Sequence, residues 1–209
     1  MPRRSTGPST LRLTRRTSEK AVRLRQVVLH IAIEYIHPPI WRRVRVPESY
    51  TLHQLHRVLQ VVFSRLDYHL YAFDIGKRRF EQPNRESEAE KSTAFMLEDL
   101  GLKAGQRFIY TYDFGDDWRH QIKVESFMPM PGPHDFDRSP CLMAGARAAP
   151  PEDSGGPPGY EMMLQAKADP EGSEDKEYLQ ALPEDFDPER FDRWALDQAL
   201  SLTAGWGAI

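Results

Sequence analysis

Apolar and polar residues alternate with a period of two from Val22 to Tyr35, and Val27, Leu29, Ile31, Ile33 and Tyr35 share one face. Side chains two apart lie on the same side of an extended chain, so this stretch predicts a β-strand. Val22 and Leu24 fall in the opposite phase, which predicts a bulge near Gln26 or burial on both faces. The prolines of "HPPI" cannot donate to a ladder and mark a turn. Alternation returns in "IWRRVRV", where Ile40, Arg42, Val44 and Val46 point one way and Trp41, Arg43 and Arg45 the other. Together the two runs predict an antiparallel hairpin.

After Pro47 the period changes to that of a helix. In "TLHQLHRVLQVVF" Leu52, Leu55, Leu59 and Val62 form one stripe, with Val58 and Phe63 beside it. Thr51 and Gln54 stand three apart as a capping box, and His53 and His56 fall on the polar face. A strand pattern resumes in "HLYAFDIG", which places His69, Tyr71, Phe73 and Ile75 together. Residues 77–92 are charged and carry Pro83 and Asn84, the composition of an exposed loop or a weak edge hairpin. "FMLEDLGLKAGQ" predicts a short helical turn ending near Gly101. Two further strands follow, with Phe108, Tyr110, Tyr112 and Phe114 on one face of the first and Trp118, His120, Ile122 and Val124 on one face of the second. Residues 129–159, rich in proline and glycine, predict an irregular connection, of a length usually functional or disordered. Helices are expected at 159–168, 174–182 and 188–200, the last with Pro188 at its first position after Asp187.

Strands followed by helices make the fold class α+β: a mixed or antiparallel sheet with C-terminal helices packed on it. The opening hairpin and helix resemble the ββα start of a β-grasp arrangement. The 209 residues, 40% of them hydrophobic, supply one substantial core, so one domain is expected over 21–200. Residues 1–20 carry a net charge of +5 and little apolar surface, which predicts a disordered basic tail. Residues 201–209 are read as a flexible C-terminus. Residues 151–209 carry fourteen acids against four bases. No apolar run reaches the roughly 18 residues of a membrane span, and the basic start lacks the apolar segment of a secretory signal. A cytoplasmic location with no membrane partner is expected. The single cysteine, Cys141, excludes an internal disulfide and an all-cysteine zinc site.

Four stretches carry a resemblance: "IHPPIWRRVRVP" at 36–47, "DYHLYAFDI" at 67–75, "YDFGDDWRH" at 112–120 and "APPEDSGGPPGYEMML" at 149–164. In order and content they resemble the plasmid pRiA-type third-open-reading-frame family, and the resemblance covers nearly all of 21–198. It implies a protein found on plasmids and transposable elements as well as chromosomes, with a suggested link to transposition and no assigned chemistry. Members often have a cysteine at the position of Ala149, paired with one matching Cys141. A paired-thiol role is therefore not open to this chain.

The chemistry-bearing residues cluster in those stretches. Asp113, Asp116, Asp117 and His120 have the types that hold hard cations, and a metal-dependent hydrolase or nuclease is one reading. Gly-Asp and Asp-Asp between aromatic strands are equally turn chemistry, and the turn is the favoured reading, with no metal or cofactor assigned. His69 and His120 open apolar strand faces, so they are either hydrogen-bonded core histidines or the lining of one pocket mouth, with Asp67, Asp116 or Glu152 available as partners. Glu152 and Asp153 precede a glycine pair, and Tyr160 follows to anchor a helix. Trp41 beside Arg43 and Arg45 can stack on bases or hold phosphates, so nucleic acid is a possible partner through that face and the basic tail. No signature of a phosphate loop, a hydrolase elbow or a zinc protease is present. The leading expectation is thus a non-enzymatic binding or accessory protein for an unknown protein or small ligand. Its candidate binding residues are Trp41, Arg42, Arg43, His69, Asp113, Asp116, Asp117, Trp118, His120, Glu152, Asp153 and Tyr160.

Overall fold

A computed structural model describes residues 25–83, 87–130, 140–171, 178 and 182–203. The expected helix at 174–182, the basic tail, Val22, Leu24 and the C-terminal residues 204–209 lie outside them, Tyr178 and Leu182 apart. The strands are β1 (Arg25–Ile33), β2 (Trp41–Pro47), β3 (Tyr71–Ile75), β4 (Arg78–Glu81), β5 (Glu90–Lys91), β6 (Arg107–Tyr112), β7 (Trp118–Pro129) and β8 (Cys141–Ala146). The helices are α1 (Leu52–Val62), α2 (Gly156–Ala168) and α3 (Arg193–Thr203). One sheet of eight strands has the order β5-β4-β3-β6-β7-β1-β2-β8. Every neighbouring pair is antiparallel except β4–β5, which makes the fold α+β.

The opening ββα order is present, and Thr51 caps α1 with the reciprocal Gln54 contacts of a capping box. The stripe Leu52, Leu55, Val58, Leu59 and Val62 is buried, and it belongs to one core with Val27, Leu29, Ile31, Val44, Phe73, Phe108, Ile122 and Val124. These strand residues share the face that period-two alternation assigns to the inside. The opposite face carries ion pairs, with Arg43 of β2 on Glu125 of β7 across β1, Arg79 on Asp74 of β3 and Glu81 of its own strand, and Arg119 on the chain at Glu34.

Several expectations need correction. The irregularity in β1 falls between Val28 and Leu29, where β7 inserts Glu125 between the partners Ser126 and Val124, and the alternative of burial on both faces also holds there, since Gln26 and Val28 are buried along with Val27 and Leu29. Tyr35 leaves the strand with φ 64° and is exposed, because the chain turns there toward the prolines. Phe114 likewise lies in the turn after β6 and is exposed. The connection 129–159 contains β8, which pairs with β2 through Val44 and Leu142. Of the two readings of 77–92, the edge hairpin is the one found, with β4 paired antiparallel to β3. Helix α2 begins at Gly156, and α3 at Arg193, five residues beyond Pro188. Asp192, whose carboxylate accepts from the Ala195 N–H, caps α3, while Asp187 accepts from Glu189 in a local turn.

Candidate functional site

The acidic turn folds as a turn first. Asp113 and Asp117 adopt left-handed backbone conformations, φ 57° and 49°, which aspartate tolerates better than most residues. Asp113 Oδ1 accepts from the Gly115 N–H at 3.0 Å, and the Asp117 N–H closes onto the Asp113 carbonyl at 2.8 Å. Asp116 Oδ2 accepts from the Trp118 indole at 3.3 Å and from the Gly155 N–H at 3.0 Å. The first contact is local to the turn, and the second fastens it to the loop ahead of α2. Gly156 completes the joint: at φ 68° it lies so close to the Asp116 carbonyl that a Cβ would collide with it. This is why the glycine pair of "DSGG" is needed at that place.

A third segment, 65–70, joins the other two. Glu152 is the bolt. Its Oε1 accepts from the Leu66 N–H at 2.7 Å and from the Tyr112 hydroxyl at 3.1 Å, and its Oε2 pairs with Arg65 at 3.2 Å. The side chains of Arg65 and Glu152 are both almost fully buried, and the guanidinium lies over the Trp118 ring at 4.9 Å. Burial draws the Arg65 pKa down, and the Glu152 charge opposes this. The Leu70 carbonyl accepts from the Asp113 N–H at 2.9 Å. Three segments distant in the chain are thereby tied into one mouth.

At that mouth stand His69, Asp113 and Asp153. His69 Nε2 lies 3.1 Å from Asp153 Oδ1 and 3.5 Å from Asp113 Oδ2, and the three ligand atoms fall within 4.8 Å of one another. The second oxygen of each carboxylate is held from outside: Asp113 Oδ1 by Gly115, and Asp153 Oδ2 by the Tyr68 hydroxyl at 3.1 Å. The His69 ring meets the edge of Tyr112 and the tilted ring of Tyr68. Leu66, Tyr68, Leu70 and Phe114 are exposed on the same segments.

The other candidates are placed elsewhere. His120 is buried; its Nδ1–H donates to the Trp118 carbonyl at 2.9 Å, and its ring stands edge-on to Phe63. Burial lowers its pKa to about 3, so it is a neutral core histidine. The set Asp113, Asp116, Asp117 and His120 therefore does not converge; Asp113 joins His69 and Asp153 instead, and Asp117 is exposed. None of Asp67, Asp116 or Glu152 partners His69 or His120. Trp118 is buried beneath Arg65. Tyr160 is buried, packs edge-on against Phe186, and its hydroxyl finds no hydrogen-bond partner among the described residues.

Trp41, Arg42 and Arg43 are remote from the mouth, on β2. Trp41 stacks on His30, and Arg43 grips Glu125 through two bonds. Arg42 is buried and donates to the carbonyls of Val62, Trp41, Ala146 and Arg147 at 2.7–2.9 Å, which ties β2 to the end of α1 and to β8. Burial lowers its pKa to about 10. A cavity of about 300 Å³ opens beside it, walled by Ala149, Phe186 and Phe191. The cation beside that cavity is already held by four carbonyls.

His56 departs most from the expectation of a surface helix face. It is fully buried, donates from Nε2 to Asp67 Oδ1 at 2.7 Å and accepts at Nδ1 from the Tyr110 hydroxyl at 2.8 Å. Gln60 donates to the same hydroxyl and accepts from the Asp67 N–H. Burial lowers the His56 pKa against the pull of Asp67. The signal that could have found this network is the polar triplet His53, His56 and Gln60 at helical spacing, opposite a sheet face rich in tyrosine.

The fold and this mouth define the class: a one-sheet α+β protein with a polar cluster beside exposed aromatic side chains where two strand-connecting segments meet the start of a helix. The chain belongs to the plasmid pRiA4b ORF-3-like family, whose sequence pattern matches residues 25–195. It is 36% identical over 150 residues to the uncharacterized protein y4hQ of Sinorhizobium fredii, covering 69% of this chain and 74% of that one. It is also similar to the crystal structure of a protein of unknown function, MM3350, from Methanosarcina mazei Go1. That likeness has a TM-score of 0.66 and 37% identity, and covers 81% of this chain and 96% of the other. Among the described residues no helix is long and apolar enough to cross a membrane.

Proposed function

We propose that this protein is a non-enzymatic binding or accessory module whose ligand site is the mouth made by residues 65–70, 113–117 and 151–155. One observation carries this reading. Segments far apart in sequence are locked together by buried polar contacts, yet they leave His69 and Asp153 accessible among the exposed side chains of Leu66, Tyr68, Leu70 and Phe114. Binding residues tend to lie on loops positioned by a rigid scaffold, and an apolar patch rimmed by charge marks an interaction surface. The ligand class that fits is a protein segment or small molecule offering apolar surface beside a polar or cationic group. Placement among mobile-element accessory proteins is supported by the plasmid in the family's name, and the β-grasp grouping by the ββα start. A cytoplasmic setting suits a chain whose one cysteine can form no internal disulfide.

A nucleic-acid role draws less support, since Arg43, Arg78 and Arg79 on the described surface are each matched by carboxylates. The test is affinity capture from host extract with wild-type protein and with the double variant Tyr68→Ala, Phe114→Ala. Both changes are at exposed positions and are expected to leave the melting temperature unchanged. The mouth reading predicts a companion retained by wild type and lost by the variant. Identical captures by two equally folded proteins would overturn it.

A further inference from the structure

We infer that His69, Asp113 and Asp153 form a binding site for one divalent first-row transition-metal ion. The inference rests on the mouth reading and assigns that site a ligand. Three features of the geometry point the same way.

The first is spacing. Metal bonds to imidazole nitrogen and carboxylate oxygen are about 2.1 Å long, so neighbouring ligand atoms in a tetrahedral or octahedral shell stand about 3.0–3.4 Å apart. His69 Nε2 lies 3.1 Å from Asp153 Oδ1 and 3.5 Å from Asp113 Oδ2. The remaining pair is no farther apart than 4.8 Å, so a small inward rotation of the exposed Asp153 brings three donors around one point.

The second is orientation. In a working metal site the outer atom of each ligand is held by a further hydrogen bond, which aims the inner atom. Both carboxylates show that arrangement: Asp113 Oδ1 is held by the Gly115 N–H, and Asp153 Oδ2 by the Tyr68 hydroxyl. The inner oxygens face His69.

The third is the donor set and its access. One imidazole with two carboxylates suits manganese, iron, cobalt or zinc better than magnesium or calcium, which favour oxygen alone. His69 and Asp153 are partly open to solvent while Asp113 is buried behind them, which leaves positions on the ion for water or for a ligand of the mouth.

The experiment is isothermal titration of the full chain with manganese and, separately, zinc, repeated with Asp113→Asn, Asp153→Asn and Tyr68→Phe. Wild type is expected to bind one ion per chain. The Asp113→Asn change keeps the oxygen that the turn requires, so each asparagine variant should fold and lose binding at least about tenfold, while Tyr68→Phe, which removes only a tether, should weaken it about tenfold. Melting curves with and without metal check the folds, and the metal-induced rise should vanish in Asp113→Asn and Asp153→Asn. No binding by wild type, or affinity unchanged in both asparagine variants, would overturn the inference. Since the capture experiment with Tyr68→Ala, Phe114→Ala is read without added metal, a failed titration with a mouth-dependent companion would sink the metal and spare the mouth.

Discussion

The two buried histidines set how stability responds to acid. His120 has its pKa drawn to about 3 by burial, and His56 is also lowered, by burial first and against Asp67. In the unfolded chain each would titrate near about 6.5. The unfolded state therefore binds the extra protons, so the stabilisation is fully present above that pH and is lost as the pH falls toward the folded-state values. For His120 the loss approaches about 1.4 kcal/mol per pH unit within that window. Urea denaturation at a series of pH values should show wild-type stability falling between about pH 6.5 and 4, with His120→Gln flattening the curve by one proton's worth. An unchanged slope in a folded variant would contradict the assignment. The roles of His120 and His56 differ in legibility. His120 follows from alternation with Trp118 and Ile122, whereas His56 was hidden because a helix's polar stripe reads as solvent-facing unless the opposing sheet offers hydroxyls, here Tyr110 and Tyr71.

Among the elements, the joint between the acidic turn and α2 is where packing becomes site geometry. Glu152 is the side chain that reaches Arg65, Leu66 and Tyr112 together. Removing it leaves a buried guanidinium without its counter-charge, and Glu152→Ala should lower stability by about 3–5 kcal/mol. Gly156→Ala should also destabilise, because the new Cβ meets the Asp116 carbonyl; each is read from urea midpoints, and a change within the error of the wild-type curve would refute the joint. Strands β1, β2, β6 and β7 and helix α1 were legible because apolar residues recur along them at the period of a strand or a helix. Strand β8 was not. Its sequence "CLMAGA" has no β-branched residue and contains a glycine, Pro140 precedes it, and its strand state comes from pairing with β2. The late start of α3 has a similar cause: Asp187 and Pro188 offer a good local start, but the chain uses that segment to place Arg147 against Glu189 and Phe191 against Arg42.

For the whole molecule, β7 beside β1 and β6 at the sheet centre brings the β6–β7 turn to one end, where the chain leaving α1 and the chain entering α2 also arrive. Sequence reading singled out "DYH", "DFGDDWRH" and "PPEDSGG" as stretches, and these are the three that meet. It could not divide the residues that hold the joint from those beside it, because that depends on contacts between the segments: Glu152 and Asp116 bond across the joint, while His69, Asp113 and Asp153 converge next to it. "WRR", grouped with them by composition, lies on β2, with β1 between it and β7. The claim on which everything else depends is that this meeting point is where the protein holds its ligand. The most direct measurement is backbone chemical-shift mapping of isotope-labelled full-length protein, titrated with a small-molecule extract of the host and then with zinc. Perturbations centred on residues 65–70, 113–117 and 151–155 are the predicted result. Shifts centred on the cavity beside Arg42 and Phe191, or on the Trp41–Arg43 face, with the mouth unmoved, would contradict it.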